Sequence, residues 1–267
     1  MRVLDRGDQL RKELDAVRGA GRTVGLVPTM GALHEGHASL IRRSAAECDV
    51  TAVTVFVNPL QFAPTEDLDS YPADLAADVA VATAAGAEVL FAPSVDEMYR
   101  EPPTVTVHVA GADVLEGAIR PGHFDGVATV VAKLFNLAGP CRAYFGEKDW
   151  QQLGVVRSLA KDLSFPVEVV GCPTVREADG LACSSRNVHL SPDERAAATV
   201  LYRALSTAAI AMAAGECDVR RLMVNMVARE PLATLDYAEV LPGRLVIAAW
   251  FGSVRLIDNM EVPCAAA

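Results

Sequence analysis

Two histidines, His34 and His37, are the side chains whose types and spacing most clearly predict chemistry. They end the stretch Val24-Gly25-Leu26-Val27-Pro28-Thr29-Met30-Gly31-Ala32-Leu33-His34-Glu35-Gly36-His37, in which an apolar run typical of a buried strand is broken by a proline and a glycine. Helical spacing follows, and residues three apart at a helix start can contact one ligand. The unpaired N–H groups of a helix start favour an anion. Two imidazoles at a phosphate would stabilise the charge that builds up during phosphoryl or nucleotidyl transfer.

The alternative is that His34 and His37 are surface residues beside a structural turn. The chain has 5 histidines, and two of them stand in one His-x-Gly-His motif directly after a predicted strand. That spacing resembles the ATP-binding signature of the nucleotidyltransferase and class I synthetase superfamily. The placement of the motif at a strand-to-helix turn favours the functional interpretation.

Other polar residues follow predicted strands. Asn58 and Gln61 come after the β-branched run 50–57, and ligands of an open α/β sheet bind at the carboxyl ends of its strands. Lys148 stands in Gly146-Glu147-Lys148-Asp149, at a second junction of strand, glycine and helix. The alternatives are a polar turn capped by Asn58 and a solvated lysine at a helix start.

Arg120 and His123 lie in the glycine-rich stretch 116–126, which we interpret as a loop. One arginine and one histidine are more than a connector needs, although a purely structural loop is the alternative. After it, Asp125 is predicted to cap a helix that runs to about Ala138.

The elements that position these residues alternate between strand and helix. An amphipathic helix over 8–19 precedes the first strand, and about five strands are predicted at 24–27, 50–57, 88–92, 143–145 and 167–170. An acidic turn is expected at 65–72, a helix at 74–85 and another at 150–163, and an exposed or edge strand at 104–109.

The pattern changes after Pro173. Ser191, Pro192 and Glu194 have the spacing of a capping box that starts a helix over about 192–214. A second helix over 218–229 and strands near 235–241, 245–250 and 254–258 follow. The predicted fold is α/β, with a Rossmann-like parallel sheet flanked by helices in residues 1–173 and a smaller α+β domain in residues 174–267. A loop at the join could close over ATP.

Composition restricts the class of partner. The chain of 267 residues is 51% hydrophobic and 22% charged, which fits a folded protein with a sizeable core. A net charge of -10 weighs against a nucleic-acid partner. The charged start has no signal-peptide core, no uncharged apolar run approaches the length of a membrane span, and the cysteines lack metal spacing. We therefore expect a cytoplasmic protein with reduced thiols.

Several segments together resemble the pantothenate synthetase family. They are VPTMGALHEGH, TVFVNPLQF, EDLDSYP, GAIRPGHFDGVATVV, YFGEKDWQQL, VREADGLACSSRN and LSPDERAAA, in the family's order from Val27 to about residue 198. The resemblance implies a dimeric two-domain ligase that joins pantoate to β-alanine with ATP and Mg²⁺ through a pantoyl adenylate.

The resemblance also implies roles for individual residues. It makes His37 the active-site acid and gives His34, Lys148 and Arg186 charge-offsetting roles at the phosphates. Gln61 would hold pantoate and lie near the β-alanine site, with Asn58 beside it, and Gln152 would contact pantoate. Arg120 and His123 would line the β-alanine end, and Asp78 matches a carboxylate associated with the metal. The ATP contacts would be Met30, Gly31, Ala32, Leu33, His34, Glu35, Gly36, His37, Gly146, Glu147, Lys148, Asp149, Val175, Cys183, Ser184, Ser185 and Arg186.

Two other functions stay open at this point. A nucleotidyltransferase of the same superfamily would retain AMP on its product, and a nucleotide-sensing module would bind ATP without chemistry. Three positions also depart from the family: Cys183 replaces Leu or Met, Ala63 replaces a common Gly, and Ala73 stands where Arg often follows Tyr-Pro.

Overall fold

The structure is a computed structural model that describes residues 1–63, 68, 71–99 and 103–263. The chain divides into two compact units, Met1–Pro173 and Thr174–Ala267. The predicted α/β class, with a parallel sheet and a smaller α+β part, is confirmed. The predicted acidic turn at 65–72 lies largely outside the described residues.

The first unit is built on a sheet of six parallel strands, counted within the described residues. In chain order they are β1 (Arg2–Leu4), β2 (Val24–Thr29), β3 (Val50–Val55), β4 (Val89–Phe91), β5 (Cys141–Gly146) and β6 (Val167–Cys172). The spatial order is β1-β4-β3-β2-β5-β6. From β2 onward the chain adds β3 and β4 on one side of β2 and then β5 and β6 on the other, while β1 pairs with β4 at the edge. The carboxyl ends of β2 and β5 therefore border the switch point at which open α/β sheets bind ligands.

Helices connect the strands and cover both faces of the sheet. They are α1 (Gly7–Gly19), α2 (Glu35–Glu47), α3 (Leu75–Ala84), α4 (Val95–Met98), α5 (Glu116–Ile119), α6 (His123–Ala138) and α7 (Trp150–Asp162). Leu26 of β2 packs into a cluster with residues of α1 and α6, whereas Val27 packs into a second cluster with Ile41 and Tyr144. Burial on both faces explains why the strands are continuous apolar runs rather than alternating ones.

Helix α2 lies very close to strand β2. A Cβ atom on Gly25 would come within 2.0 Å of the Oγ of Ser44 on α2. That hydroxyl is buried and hydrogen-bonded to the hydroxyl of Thr51 on β3, at 2.8 Å. Only a glycine lets the helix approach the sheet this closely.

The second unit packs three helices against an antiparallel sheet, as far as its described residues extend. The helices are α8 (Pro192–Ala197), α9 (Val200–Ala213) and α10 (Val219–Ala228), and the sheet is β7 (Ala233–Leu241), β8 (Arg244–Phe251) and β9 (Val254–Glu261) in that order. Leu201, Ile247 and Phe251 are among the residues of its core. The predicted capping box is confirmed, since Ser191 Oγ accepts from Glu194 N–H and Glu194 accepts from Ser191 N–H.

Four predictions about elements are wrong. Strand β1 precedes the first helix and was missed, and the segment 104–109 forms no strand. The backbone N–H groups of Val107 and Val109 instead donate to the side chains of Thr129 and Asp125 on α6. Asp125 is thus not the helix cap: α6 begins at His123 after Gly122, in the stretch interpreted as a loop. The helix over 192–214 is interrupted between α8 and α9.

One helical segment, Pro192–Ala213, is long and apolar enough to pass a length-and-composition test for a membrane span. Its apolar residues Leu201, Ala204 and Leu205 are nevertheless buried in the core of the second unit. The most apolar 18-residue window of the segment is 39% buried, and Ile210 in the segment is exposed, so only one side of it packs into this core.

Candidate active site

The turn after β2 places the first candidate residues. Gly31 and Ala32 both adopt positive φ angles, of 88° and 49°. The buried carboxylate of Asp78 on α3 accepts hydrogen bonds from Leu33 N–H at 2.7 Å and from Ala32 N–H at 3.2 Å. A Cβ on residue 31 would come within 2.8 Å of that carboxylate, so glycine is required there for space as well as for conformation.

His34 and His37 form an unusual capping box at the start of α2. The Nδ1 of His34 accepts a hydrogen bond from Gly36 N–H at 3.1 Å, and the Nδ1 of His37 accepts from His34 N–H at 3.4 Å. Because a backbone N–H can only donate, both Nδ1 atoms are unprotonated and each neutral ring carries its proton on Nε2. The fold therefore presents two Nε2–H donors, with the ring centroids 4.1 Å apart.

Both imidazoles are neutral at neutral pH. Burial, assisted by nearby Lys148, lowers the pKa of His34 to about 4. Burial and the proximity of His34 lower the pKa of His37 to about 3. The two histidines would therefore act on phosphate as neutral hydrogen-bond donors and not through a positive charge.

Lys148 supplies a cation near the histidines. It lies in the 3₁₀ turn Glu147–Asp149, between the end of β5 and the start of α7, and its Nζ is 3.6 Å from a carboxylate oxygen of Asp149. Both residues act electrostatically on His34 and His37. The structure thus brings together the candidates at the carboxyl ends of β2 and β5.

Asn58 and Gln61 lie next to the same turn and are almost fully buried. Asn58 Nδ2 donates to Gln61 Oε1 at 2.9 Å, and Gln61 Nε2 donates to the sulfur of Met30 at 3.0 Å. Gln61 therefore joins the end of β3 to the segment that carries the histidines. A polar turn capped by Asn58 is also present, since Asn58 accepts from Leu60 N–H.

Arg120 and His123 contact the backbone of Gln61. His123 Nδ1 lies 2.8 Å from the carbonyl oxygen of Gln61, and Arg120 donates to the same oxygen at 3.4 Å. Arg120 Nη1 is also 3.1 Å from His123 Nε2, which is the ring nitrogen left to accept. Their contacts support the main chain at Gln61, whereas a role at β-alanine stays a prediction.

Gln152 is partly buried in the first turn of α7. Its neighbour Gln151, which sequence reasoning missed, joins α7 to the first residue of α5 and to Val114 before it. Its side chain accepts from Glu116 N–H at 3.1 Å and donates to the carbonyl of Val114 at 2.8 Å.

The candidates of the second unit form a small group of their own. Arg176 and Ala182 make a β-bridge, and Cys183 N–H donates to the carbonyl of Val175 at 2.9 Å. Ser184 then caps the 3₁₀ helix Ser185–His189, with its hydroxyl accepting from Arg186 N–H. Val175 is thereby placed beside Cys183, from which the chain continues directly into Ser184, Ser185 and Arg186.

The described residues contain no cluster of three or more acidic, histidine or cysteine side chains that could hold a metal ion. Both oxygens of Asp78, the predicted metal-associated carboxylate, already accept backbone N–H groups. Mg²⁺ at an ATP site is commonly held by one or two carboxylates together with phosphate oxygens. Within the part of the chain that the structure describes, side chains alone do not form a magnesium site.

Comparisons with known proteins agree on one family. A family model described as pantoate-beta-alanine ligase matches residues 2–261. A pantothenate synthetase of Geobacillus kaustophilus is 51% identical over 279 residues, covering 98% of this chain and 93% of that protein. One from Deinococcus radiodurans is 52% identical over 273 residues, covering 94% of this chain and 97% of that protein.

Solved structures agree with this result. The crystal structure of pantothenate synthetase from Thermus thermophilus matches with a TM-score of 0.93 and 48% identity, covering 98% of this chain and all of that one. A pantoate-beta-alanine ligase from Francisella tularensis, complexed with beta-gamma ATP and β-alanine, matches with a TM-score of 0.86 and 35% identity, covering 98% and 97%.

Proposed function

The chain belongs to the pantoate-beta-alanine ligase family, and from this premise we propose that it joins (R)-pantoate to β-alanine with ATP, through a pantoyl adenylate. AMP and pyrophosphate are the other products. The observation that carries the proposal is the pair of Nε2–H donors of His34 and His37 beside Lys148, at the carboxyl ends of β2 and β5.

The chemistry needs such donors. A carboxylate is a poor acylating agent, so a pantoate oxygen attacks the α-phosphorus of ATP, and the bond to the bridging oxygen of pyrophosphate breaks. Negative charge grows on the phosphate oxygens in that step. Two fixed N–H donors and the Lys148 ammonium stabilise it without any covalent bond to the protein.

The second half-reaction requires that water is excluded from the pantoyl adenylate. The mixed anhydride is attacked at its carbonyl carbon by the amine of β-alanine, AMP leaves, and the amine loses a proton as the amide forms. Because water competes for the same carbon, a closed site protects the intermediate. The ATP- and β-alanine-bound relative supports both substrates for this chain.

The other assignments are proposals of the same origin. Gln61, Gln152 and Asn58 bind pantoate, Arg120 and His123 act at the β-alanine end, and Val175 and Cys183–Arg186 contact ATP. We propose that the enzyme is a cytoplasmic homodimer, and that Mg²⁺ arrives with the ATP phosphates. Phosphate oxygens would supply most of its ligands, since the described side chains form no metal cluster.

The test separates the half-reactions. With ATP, Mg²⁺ and pantoate alone, the enzyme should exchange labelled pyrophosphate into ATP, and AMP release should require β-alanine. Gln152→Ala should weaken the use of pantoate in the exchange while sparing ATP, because a lost buried hydrogen bond costs on the order of 1 kcal/mol. Gln61→Ala should impair both the exchange and the amine step.

Two outcomes would contradict the proposal. An exchange that requires β-alanine would mean a concerted reaction without a free adenylate. A stable adenylated product that accumulates with no dependence on an amine would indicate a nucleotidyltransferase that retains AMP.

A further inference from the structure

Tyr99 stands at one end of a chain of hydrogen bonds that leads to Gln61. Its hydroxyl donates to Asn58 Oδ1 at 2.8 Å, and Asn58 Nδ2 donates to Gln61 Oε1 at 2.9 Å. Tyr99 is 6% exposed and Asn58 is 1% exposed. Tyr99 lies 41 positions from Asn58 along the chain, and no local sequence motif links the two residues.

Main-chain groups determine which way the Asn58 amide faces. Its Oδ1 accepts from Leu60 N–H at 3.3 Å, and its Nδ2 donates to the carbonyl oxygen of Gly126 at 3.1 Å. A backbone N–H cannot accept and a carbonyl cannot donate. The amide of Asn58 therefore has a single orientation in which every contact is satisfied.

The orientation of Asn58 determines that of Gln61. Because the NH₂ group of Asn58 faces Gln61, the atom that meets it must be the oxygen Oε1. Turning the Gln61 amide over would place two NH₂ groups against each other. The Nε2 of Gln61 consequently lies on the opposite side, 3.0 Å from the sulfur of Met30.

The contact with Met30 leaves Gln61 ready to donate elsewhere. A thioether sulfur is a weak acceptor, and the NH₂ group has a second proton besides the one directed at it. A substrate oxygen can therefore accept from Nε2 at little cost. Gln61 is a donor with a fixed direction, and it selects an oxygen acceptor at that position.

The surroundings of Tyr99 hold its ring in place and keep its hydroxyl bonded to Asn58. Its ring packs against Phe56, with centroids 5.9 Å apart, and the ammonium of Lys133 lies 5.8 Å from the ring centroid. Burial raises the pKa of its phenol, so the hydroxyl stays protonated and donates. Without this hydroxyl, Asn58 Oδ1 would keep only the longer contact with Leu60 N–H.

We propose that Tyr99 is a positioning residue for substrate recognition: it reinforces the orientation that main-chain groups give the amide of Asn58 and, through Asn58, holds the NH₂ group of Gln61 as a donor to an oxygen of pantoate. The inference rests on the proposed function, since it takes pantoate as the ligand of Gln61. It adds a residue outside the binding site and the direction of the hydrogen bond inside it.

The first test is Tyr99→Phe, which removes the hydroxyl and keeps the ring. We expect kcat/KM for pantoate to fall roughly three- to tenfold, the effect of one impaired hydrogen bond, with KM for ATP near that of the wild type. Tyr144→Phe is the matched control, because Tyr144 is also buried and its hydroxyl donates to Glu47 at 2.9 Å. That control should leave kcat/KM for pantoate unchanged.

A double-mutant cycle distinguishes positioning from general destabilisation. In a Gln61→Ala background there is no amide to orient, so Tyr99→Phe should cause no further loss in kcat/KM for pantoate. A merely structural role would produce the same loss in both backgrounds. Gln61→Glu, which keeps the shape but cannot donate, should lose pantoate use as fully as Gln61→Ala.

The inference is overturned if Tyr99→Phe uses pantoate as well as the wild type, if its effect is additive in the Gln61→Ala background, or if Gln61→Glu retains pantoate use. A failure of the proposed function looks different. In that case the wild-type enzyme itself would show no pantoate-dependent pyrophosphate exchange, before any variant is made.

Discussion

At the scale of single residues, the helix start determines the chemical form of the two histidines. The Nδ1 of His34 takes the backbone N–H that a Ser or Asn cap usually satisfies, and the Nδ1 of His37 takes the one that a Glu or Gln at the third helical position usually satisfies. Each ring consequently serves the fold with one nitrogen and offers its Nε2–H with the other. Neutral donors with fixed tautomers suit a step in which charge appears on phosphate oxygens.

Removing either imidazole should therefore slow adenylation more than it affects folding. We expect His34→Ala or His37→Ala to lower the rate of pyrophosphate exchange by about 10²-fold or more, as for other lost transition-state donors. His34→Asn is the sharper variant, because it keeps a capping acceptor but lacks the Nε2–H. His108→Ala, at an exposed histidine, is the control. Near-normal exchange in the folded variants would remove the motif from the mechanism.

The low pKa values of the two histidines predict an unusual pH dependence. Because kcat/KM reports the free enzyme, neither histidine should produce a loss of kcat/KM for ATP between about pH 5 and 7, where an ordinary histidine titrates. If the pH profile of kcat/KM for ATP fell near pH 6.5 and this fall disappeared in His37→Gln, the conclusion that the histidines are neutral would be wrong.

The same shifts make folding stability depend on pH. The unfolded histidines bind protons near pH 6.5, whereas the folded ones do so only near pH 4 and pH 3. The free energy of unfolding should therefore fall as pH drops from about 6.5 towards about 4, and the loss should be smaller in His37→Gln. Urea unfolding at several pH values measures it, and equal slopes for the two proteins would contradict the assignment.

The residue types and spacing of the sequence select candidate residues but do not determine their protonation states or contacts. The His34/His37 motif is visible because its members are close in sequence. The burial that lowers their pKa values, and the link from Tyr99 through Asn58 to Gln61, arise from contacts between distant segments. No local periodicity carries such information.

At the scale of elements, a side chain of helix α3 stabilises the turn between β2 and α2. Ala32, which is not glycine, adopts φ of 49°, a conformation that L residues disfavour. The carboxylate of Asp78 on α3 compensates by accepting two N–H groups of the turn. Burial raises the pKa of that carboxyl, although the bonds from Leu33 and Ala32 oppose the shift.

Removing this support should loosen the histidine segment. Asp78→Ala should raise KM for ATP and lower the melting temperature, because two buried N–H groups lose their acceptor. Asp74→Ala is the matched control on the same helix: Asp74 caps α3 by accepting from Ala77 N–H. It should cost about 1 kcal/mol of stability without changing KM for ATP. If both variants raised KM for ATP equally, the stability of α3 would be responsible and not the contact of Asp78 with the turn.

Elements with strong local patterns were predicted correctly, and those defined by distant partners were not. The apolar runs of β2 and β3 and the capping box of α8 have recognisable local signals. The alternating segment 104–109 has the pattern of a strand, but side chains of α6 take its N–H groups. Strand β1 has 3 residues, too few for a periodic signal, and it exists because β4 pairs with it.

At the scale of the whole chain, two units have separate hydrophobic cores. Within the second unit, Arg176 fastens the segment that carries Val175 and Cys183 to strand β9. Its guanidinium donates to both carboxylate oxygens of buried Asp258, at 2.6 and 2.9 Å, and lies 4.6 Å from the ring centroid of Tyr202.

Breaking this buried pair should destabilise the second unit strongly. Asp258→Ala leaves Arg176 without its carboxylate, which typically costs about 3–5 kcal/mol, and it should also raise KM for ATP if Cys183–Arg186 bind phosphate. Glu239→Ala removes the exposed partner of Arg220 and should cost no more than about 1 kcal/mol. Chemical denaturation measures the free energy of unfolding of both variants. Similar decreases in the two would contradict the idea that burial makes the Arg176–Asp258 pair more important than the exposed pair.

The absence of a side chain at Gly25 also has a mechanical consequence. With α2 seated directly on β2, and Ser44 bonded to Thr51, the helix has little freedom to rock on the sheet. Close packing therefore restricts how far the helix that begins with the histidine segment can shift relative to the sheet. Transition-state donors must be held within about 0.5 Å of their working positions. A methyl group at residue 25 would push α2 away from the sheet and would displace the two histidines at its start. The lack of a side chain at Gly25 thus helps to determine where the two Nε2–H donors lie.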